Sequence, residues 1–259
     1  MQIGADVFCD TKLISAELAA RFSKPELNPF LDSALLDNEK DIIDYSHKTD
    51  TEVFMAGVQS SKPLAMLAAV FSLFSPLDGL KFIKDRAGIQ KNSSLKAMGY
   101  RRANDLLDQH YAQMEAMLKS NIYLFGKEKP SVADFSAYHS LWFKHLTQGS
   151  TALDSKPYIN AWFQRMAKFG HGEKIEGSKS IAFAAAKEYR TREINDASLG
   201  HGDIGKKVTV APNDYAKDAV DGVLLGADDY RWIIARETND FGRINVHFPK
   251  QGFELKLVS

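Results

Sequence analysis

The chain has one cysteine, Cys9, among its 259 residues. A lone thiol closes no internal disulfide, so nothing in the sequence points to an oxidising compartment. Charge of either sign is also missing as an excess: 33 Lys and Arg balance 33 Asp and Glu. Nucleic-acid binders displace counterions with a basic surface, so no nucleic acid is expected as a partner. The N-terminus lacks the charged, apolar, then small-residue order of a signal peptide. The longest apolar run, 64–74, has 11 residues and is interrupted by Ser72. A bilayer span needs about 20. The run therefore reads as a buried core helix, and the protein as cytoplasmic with no membrane partner. None of the seven histidines stands three or four residues from another. Helical metal sites are built at that spacing, so no metal is expected.

What is present suits a folded protein. Hydrophobic residues make up 44% and charged residues 25%, which argues against disorder. The length allows one large domain or two modest ones with a sizeable core. The opening Ile3-Gly4-Ala5-Asp6-Val7-Phe8-Cys9 reads as a short strand. Asp10 then makes an N-cap, and Leu13, Ile14, Leu18 and Phe22 recur at helical spacing until Pro25. From about residue 32 to 190 the pattern is helical almost throughout. Segment 38–58 is amphipathic. Pro63 opens a helix that Pro76 ends or kinks. The clearest stripe lies over 95–118, where Met98, Leu106, Leu107, Tyr111, Met114, Met117 and Leu118 share a face. Further helices are read over 131–145, from Pro157 to about 169, and from Ser178 or Ser180 to about 190.

Composition changes at Gly200-His201-Gly202. Five short runs follow, over 208–210, 223–225, 230–235, 243–248 and 253–258, rich in β-branched and aromatic residues. They read as a small antiparallel barrel or sandwich. Ile244, Val246 and Phe248 alternate with Arg243, Asn245 and His247, the mark of a half-buried strand. The loop Gly200–Lys206 fits most of a phosphate-binding motif by spelling. It follows a helix and opens a strand, the reverse of the context that motif needs, and reads as a linker.

The segment Pro130-Ser131-Val132-Ala133-Asp134-Phe135 forms a capping box. Ser131 caps the N–H of Asp134, and Asp134 bonds back to the N–H of Ser131. Together with Tyr123-Leu124-Phe125-Gly126 just upstream, it resembles the linker and buried capped helix of the glutathione transferase C-terminal domain. The resemblance covers about residues 3–190. In that family the last strand of a thioredoxin-like domain runs into an acidic residue and a hydroxyl residue at a helix start. Asp10-Thr11 matches that pair by type and place. The resemblance implies that Thr11 and its backbone N–H hold the carboxylate of the γ-glutamyl end of glutathione, while Asp10 holds its amine. A helix N-terminus binds carboxylates, and a carboxylate pairs with ammonium. The alternative reading of Asp10-Thr11 is a plain helix cap.

The family's catalytic Tyr, Ser or Cys and its cis-proline would lie upstream of Met1, so no catalytic residue is assigned. Cys9 reads as a small buried hydrophobe. The fold expected is mainly α with α+β additions. A remnant of the thioredoxin-like domain is expected over 1–24, a glutathione-transferase-like helical domain over 32–192 and a small β domain over 201–259. A lone strand and helix leave sheet edges open. Either the true start lies upstream, or the remnant packs on the helical domain or a partner chain. The resemblance further implies a small hydrophobic electrophile as co-substrate and a homodimer. Tyr100, Tyr111 and Trp142 are the candidates to line the electrophile's cleft. The alternative function is a non-catalytic ligand-binding or protein-interaction scaffold.

Overall fold

The structure is a computed structural model, described for residues 1–30, 39–91, 98–126, 128–148, 153–213 and 216–258. It divides into two compact units, one of residues 1–23, 87–95 and 173–259, the other of 24–86 and 96–172.

The first unit is a seven-stranded sheet. Strands β1 (Gln2–Ile3) and β2 (Asp6–Phe8) form a hairpin, turned by Gly4 at φ 60. Strands β3 (Lys207–Pro212), β4 (Val220–Ala227), β5 (Arg231–Thr238), β6 (Gly242–Pro249) and β7 (Phe253–Leu257) come from the end of the chain. The order is β1-β2-β6-β5-β4-β3-β7. Every pairing is antiparallel except β2 with β6, which run parallel with Asp6 opposite Asn245 and Phe8 opposite His247. Helix α1 (Thr11–Arg21) follows β2 and contacts β6. Helix α9 (Lys179–Glu188) also contacts β6 and adds Ala186 to the core of Val208, Val210, Leu224, Ile234, Ile244, Val246 and Phe248.

This arrangement corrects two expectations. The antiparallel β region after residue 200 is present, but it is not a body of its own and not two packed sheets. The opening strand, expected as part of a separate remnant, lies between β1 and β6 in the same sheet. Its edge is therefore filled from within the chain. The second correction concerns β6. Ile244, Val246 and Phe248 are buried as expected, but so are Asn245 and His247. Strand β6 has covered neighbours on both faces, as parallel pairing usually demands.

The polar face of β6 meets the polar face of β2. Asp6 Oδ1 lies 2.8 Å from His247 Nε2, and the Arg192 backbone N–H donates to Asp6 Oδ2 at 2.9 Å. The Phe8 ring stacks on His247, with centroids 4.4 Å apart at 12°. Burial alone pushes the Asp6 carboxyl up, but the His247 hydrogen bond, the Arg192 amide and the charges of both residues outweigh it. The net shift is down.

The second unit is helical. It holds α2 (Glu39–Lys48), a π-helical turn Thr49–Val53, α3 (Phe54–Gln59) and α4 (Pro63–Leu73). Most of α5 (Pro76–Lys91) follows, then α6 (Tyr100–Leu118), α7 (Val132–Gln148) and α8 (Pro157–Ala167). Pro76 opens α5 rather than merely ending α4, since proline at a first helical position gives up no needed hydrogen bond. Of the span 95–118, the helix occupies Tyr100–Leu118; residues 92–97 lie outside the described residues. The core gathers Leu107, Tyr111 and Met114 of α6, Ala133, Ala137 and Leu141 of α7, and Ile159, Trp162 and Met166 of α8. Glu115 Oε1 accepts the Ile159 N–H at 2.7 Å, filling one of the unpaired donors that open α8.

Asp134 is the polar centre of this core. Its Oδ2 accepts the Ser131 N–H at 2.9 Å and the Ser131 hydroxyl at 3.2 Å. Its Oδ1 accepts the Leu124 N–H and the Trp162 Nε1–H, each at 2.9 Å. The back-bond of the expected capping box is there. The forward bond is not: the Asp134 N–H donates to the Ser131 carbonyl, and the Ser131 hydroxyl is itself a donor to the carboxylate. The reason is the carboxylate's greater strength as an acceptor. Burial pushes the Asp134 pKa up, with these donors pulling against it. The 64–74 run, expected as buried core, is instead largely exposed along α4.

Two predictions follow from the buried carboxylates. Asp134→Ala leaves three buried N–H donors without their acceptor, and unfolding in urea should show a loss of about 3 kcal/mol or more. A loss below about 0.5 kcal/mol would mean that water reaches these donors. Asp6 has a folded pKa below its unfolded value, so its contribution is complete above about pH 4 and fades as pH falls through the folded value. The stability gap between wild type and Asp6→Asn, measured by thermal unfolding, should be on the order of 1–3 kcal/mol near neutrality. It should narrow on acidification. A gap that stays constant down to the acid limit would remove the Asp6 carboxylate from the account.

Candidate functional site

The site expected at Asp10-Thr11 sits where β2 hands the chain to α1. Strand pairing continues past Phe8, because the Cys9 N–H donates to the His247 carbonyl at 2.9 Å. At Asp10 the chain turns sharply. Its φ is 70 and its ψ 142, in a region that residues with a Cβ seldom occupy. Such a conformation costs on the order of 1–3 kcal/mol and persists only where the surroundings impose it. Here they do: Cys9 is tied to β6 on one side, and on the other the Ile14 N–H donates to the Asp10 carbonyl at 3.1 Å. The Asp10 Oδ1 accepts the Lys12 N–H at 2.9 Å, which is the N-cap read from the sequence.

Asp10 and Thr11 are both exposed. The cap bond engages one carboxylate oxygen of Asp10. The corner thus offers a carboxylate, a hydroxyl and the positive end of a helix at one place on the surface. Cys9, the adjacent thiol, is half-buried. Burial pushes its pKa up; the N-terminal ammonium pulls against that, and Asp10 adds a smaller push upward. Thiols react as thiolates, so this one is poorly suited to act as a nucleophile.

The cleft candidates fall in different settings. Tyr100 is exposed at the first position of α6. Tyr111 lies in the helical core, with Lys144 Nζ 5.0 Å and Lys156 Nζ 5.6 Å from its ring centroid. Burial pushes its phenol pKa up, so it stays protonated. The two tyrosines stand roughly 16 Å apart along the helix axis. Trp142 is exposed on α7. The three are thus an exposed helix start, a core ring and an exposed ring, and Tyr111 acts as core. Ser131 and Asp134 make the back-bond of the expected cap but not its forward bond.

Sequence reasoning missed three residues. Trp162 was read only as helical, yet it donates to Asp134. His247 was read as an outward strand position, yet it is the partner of Asp6. His110 closes one wall of a polar groove of about 530 Å³ in the helical unit, lined also by Lys48, Glu52, Arg102 and Asp105. Its Nε2 lies 3.2 Å from the Tyr45 hydroxyl. Burial, and then the charge of Lys48, push its pKa down to about 4, so it is neutral at physiological pH. In the sequence this histidine counts only as one of seven that lack metal-site spacing.

No protein-family model matches the sequence, and no curated protein matches it. Among solved structures, a GST-like protein from Pseudomonas syringae is 25% identical and superposes with a TM-score of 0.73. That match covers 99% of this chain, and so both units, and 80% of the other. A glutathione S-transferase from Actinobacillus pleuropneumoniae is 15% identical, with a TM-score of 0.40 over 72% of this chain and 66% of its own. With the strand-to-helix corner and the Asp134-centred helical core in place, the chain has a glutathione S-transferase-like fold.

Proposed function

We propose that the Asp10–Thr11 corner binds the amino-acid end of glutathione, and that this chain is a glutathione binder with little or no conjugating activity of its own. The observation that supports the reading is the backbone of Asp10. A plain helix cap is satisfied by ordinary extended geometry. This cap is instead held at positive φ with its carboxylate and the neighbouring hydroxyl both outside. Strain kept at an exposed polar corner is characteristic of ligand clamps. The carboxylate would take the ligand's ammonium, and Thr11 with the first helical N–H groups its carboxylate.

Conjugation needs more than a grip. The glutathione thiol must be brought to thiolate by a positioned donor or positive charge. A carboxylate and a hydroxyl do not supply that, and Cys9 beside them is itself held protonated.

Calorimetry with glutathione tests the binding. Wild type should bind, and Asp10→Ala and Thr11→Val should each weaken binding about tenfold or more, the loss of one charge-assisted hydrogen bond. Equal affinity in wild type and Asp10→Ala would remove the corner from the account. Stability separates ligand clamp from cap. Asp10→Ala should cost about 1 kcal/mol through the lost cap. Asp10→Gly should be neutral or stabilising, since glycine relieves the backbone at a cap cost of only a few tenths. Both should lose glutathione. Turnover of a generic electrophile with glutathione by the wild-type chain, at rates typical of enzymes, would overturn the non-catalytic part.

A further inference from the structure

Helices α2 and α3 form one helix interrupted by the π-helical turn Thr49–Val53. The Phe54 N–H donates to the Thr49 carbonyl, five residues back, so the backbone takes in an extra residue there. Such bulges are rare and gather at functional sites. This one contacts α6, and it puts Glu52, with Lys48 just before it, on one wall of the polar groove. The other wall is α6, with Arg102, Asp105 and His110. Two hydrogen bonds tie the walls together. The Met98 N–H donates to Gln59 Oε1 at 2.5 Å, and the Tyr45 hydroxyl lies 3.2 Å from His110 Nε2. The four charged residues lie between those ties in sequence, so the groove is formed by the fold itself.

His110 distinguishes the groove from an ordinary solvated face. It is only 5% exposed, yet its ring lines the groove. Tyr45 occupies Nε2, and among the described residues no hydrogen bond reaches Nδ1. A neutral imidazole has one donor and one acceptor nitrogen. His110 therefore holds one hydrogen bond in reserve for whatever enters, as donor or acceptor according to which way the Tyr45 hydroxyl points.

Charge selects the ligand. Each wall carries one cation and one carboxylate: Lys48 with Glu52, and Arg102 with Asp105. All four are exposed, and among the described residues no ion pair engages them. A simple anion entering the groove meets two carboxylates, and a simple cation meets two cations. A molecule with separate ammonium and carboxylate ends satisfies both signs through charge-assisted hydrogen bonds. The volume of about 530 Å³ is that of a small-molecule site. Only Leu106 among the described lining residues is apolar, which disfavours a hydrophobic guest.

We propose that this groove binds an amino acid or short peptide with both charged ends free. Lys48 and Arg102 take its carboxylate, Glu52 and Asp105 its ammonium, and His110 a polar group between them. The site lies wholly within the helical unit and does not depend on the Asp10 corner.

Calorimetry of the full chain with glycylglycine tests it, against the same dipeptide acetylated at its amine and amidated at its carboxylate. The free dipeptide should bind, and the blocked one about tenfold more weakly or not at all. Lys48→Gln with Arg102→Gln, and Glu52→Gln with Asp105→Asn, should each weaken binding about tenfold or more. These positions are exposed, so neither pair threatens the core. Asp10→Ala should leave binding unchanged. No binding by wild type, equal binding of the blocked dipeptide, or a groove pair that binds as wild type does would each overturn the proposal. So would loss in Asp10→Ala alone, which assigns the dipeptide to the corner and leaves the glutathione reading standing.

Discussion

The hydrogen bond between Asp6 and His247 joins the first residue of β2, in the opening hairpin, to a strand near the end of the sequence. Strand β2 has three residues. Its main-chain pairing with β6 is short and would hold a register weakly. A slip of one residue would turn Val7 out of the core and push Asp6 into it. Asp6 prevents this because it finds a partner only on the polar face of β6, where His247 and the Arg192 amide meet it. Breaking a buried pair by removing one member is costly, even where a wholly apolar substitute would serve stability as well. The pair's contribution is therefore choice of register as much as stability. The Asp10 corner follows from that register, since Cys9 must reach the His247 carbonyl before the chain turns into α1.

The helical unit solves the same problem in the same way. Asp134 collects donors from the Leu124 segment, from its own helix start and from α8. A buried carboxylate is expensive in apolar surroundings, and this one is acceptable because its oxygens are filled by donors. Those donors come from three places in the sequence, so the carboxylate also fixes where they converge. Trp162 illustrates the dependence. It is fully buried, and its indole N–H would be stranded if α8 rotated away from α7.

How much of this could be read in advance divides by distance along the chain. The helices, their proline starts, the Asp10 cap and the back-bond of Asp134 were legible, because each is a contact across a few residues with a known chemical signature. The five late strands were legible by composition. The β2–β6 pairing was not, because partners 239 residues apart leave no local trace. Missing it made the opening strand look like an isolated remnant and made Asn245 and His247 look solvated. Trp162 was visible only as part of a helical span and His110 only as one of seven histidines, and neither reading says which polar atom a ring will find. The α4 run failed for the opposite reason. Its hydrophobicity was read correctly and its burial assumed, although composition fixes only what a helix prefers and not what the fold has left to cover it.

Asp10 carries two demands that pull in different directions. As a cap it should sit in extended geometry and point its carboxylate back at the helix. As a clamp it should present that carboxylate outward at a place where ligand atoms can reach both it and the helix N-terminus. The observed residue does the first with one oxygen and accepts an unfavourable backbone in doing so. A glycine would make the turn at little cost to the cap. A carboxylate at a turn where glycine would relieve the backbone is what the proposed ligand clamp requires, beyond the cap bond to Lys12. That asymmetry between what the helix needs and what the residue supplies is the physical argument behind the proposed glutathione site.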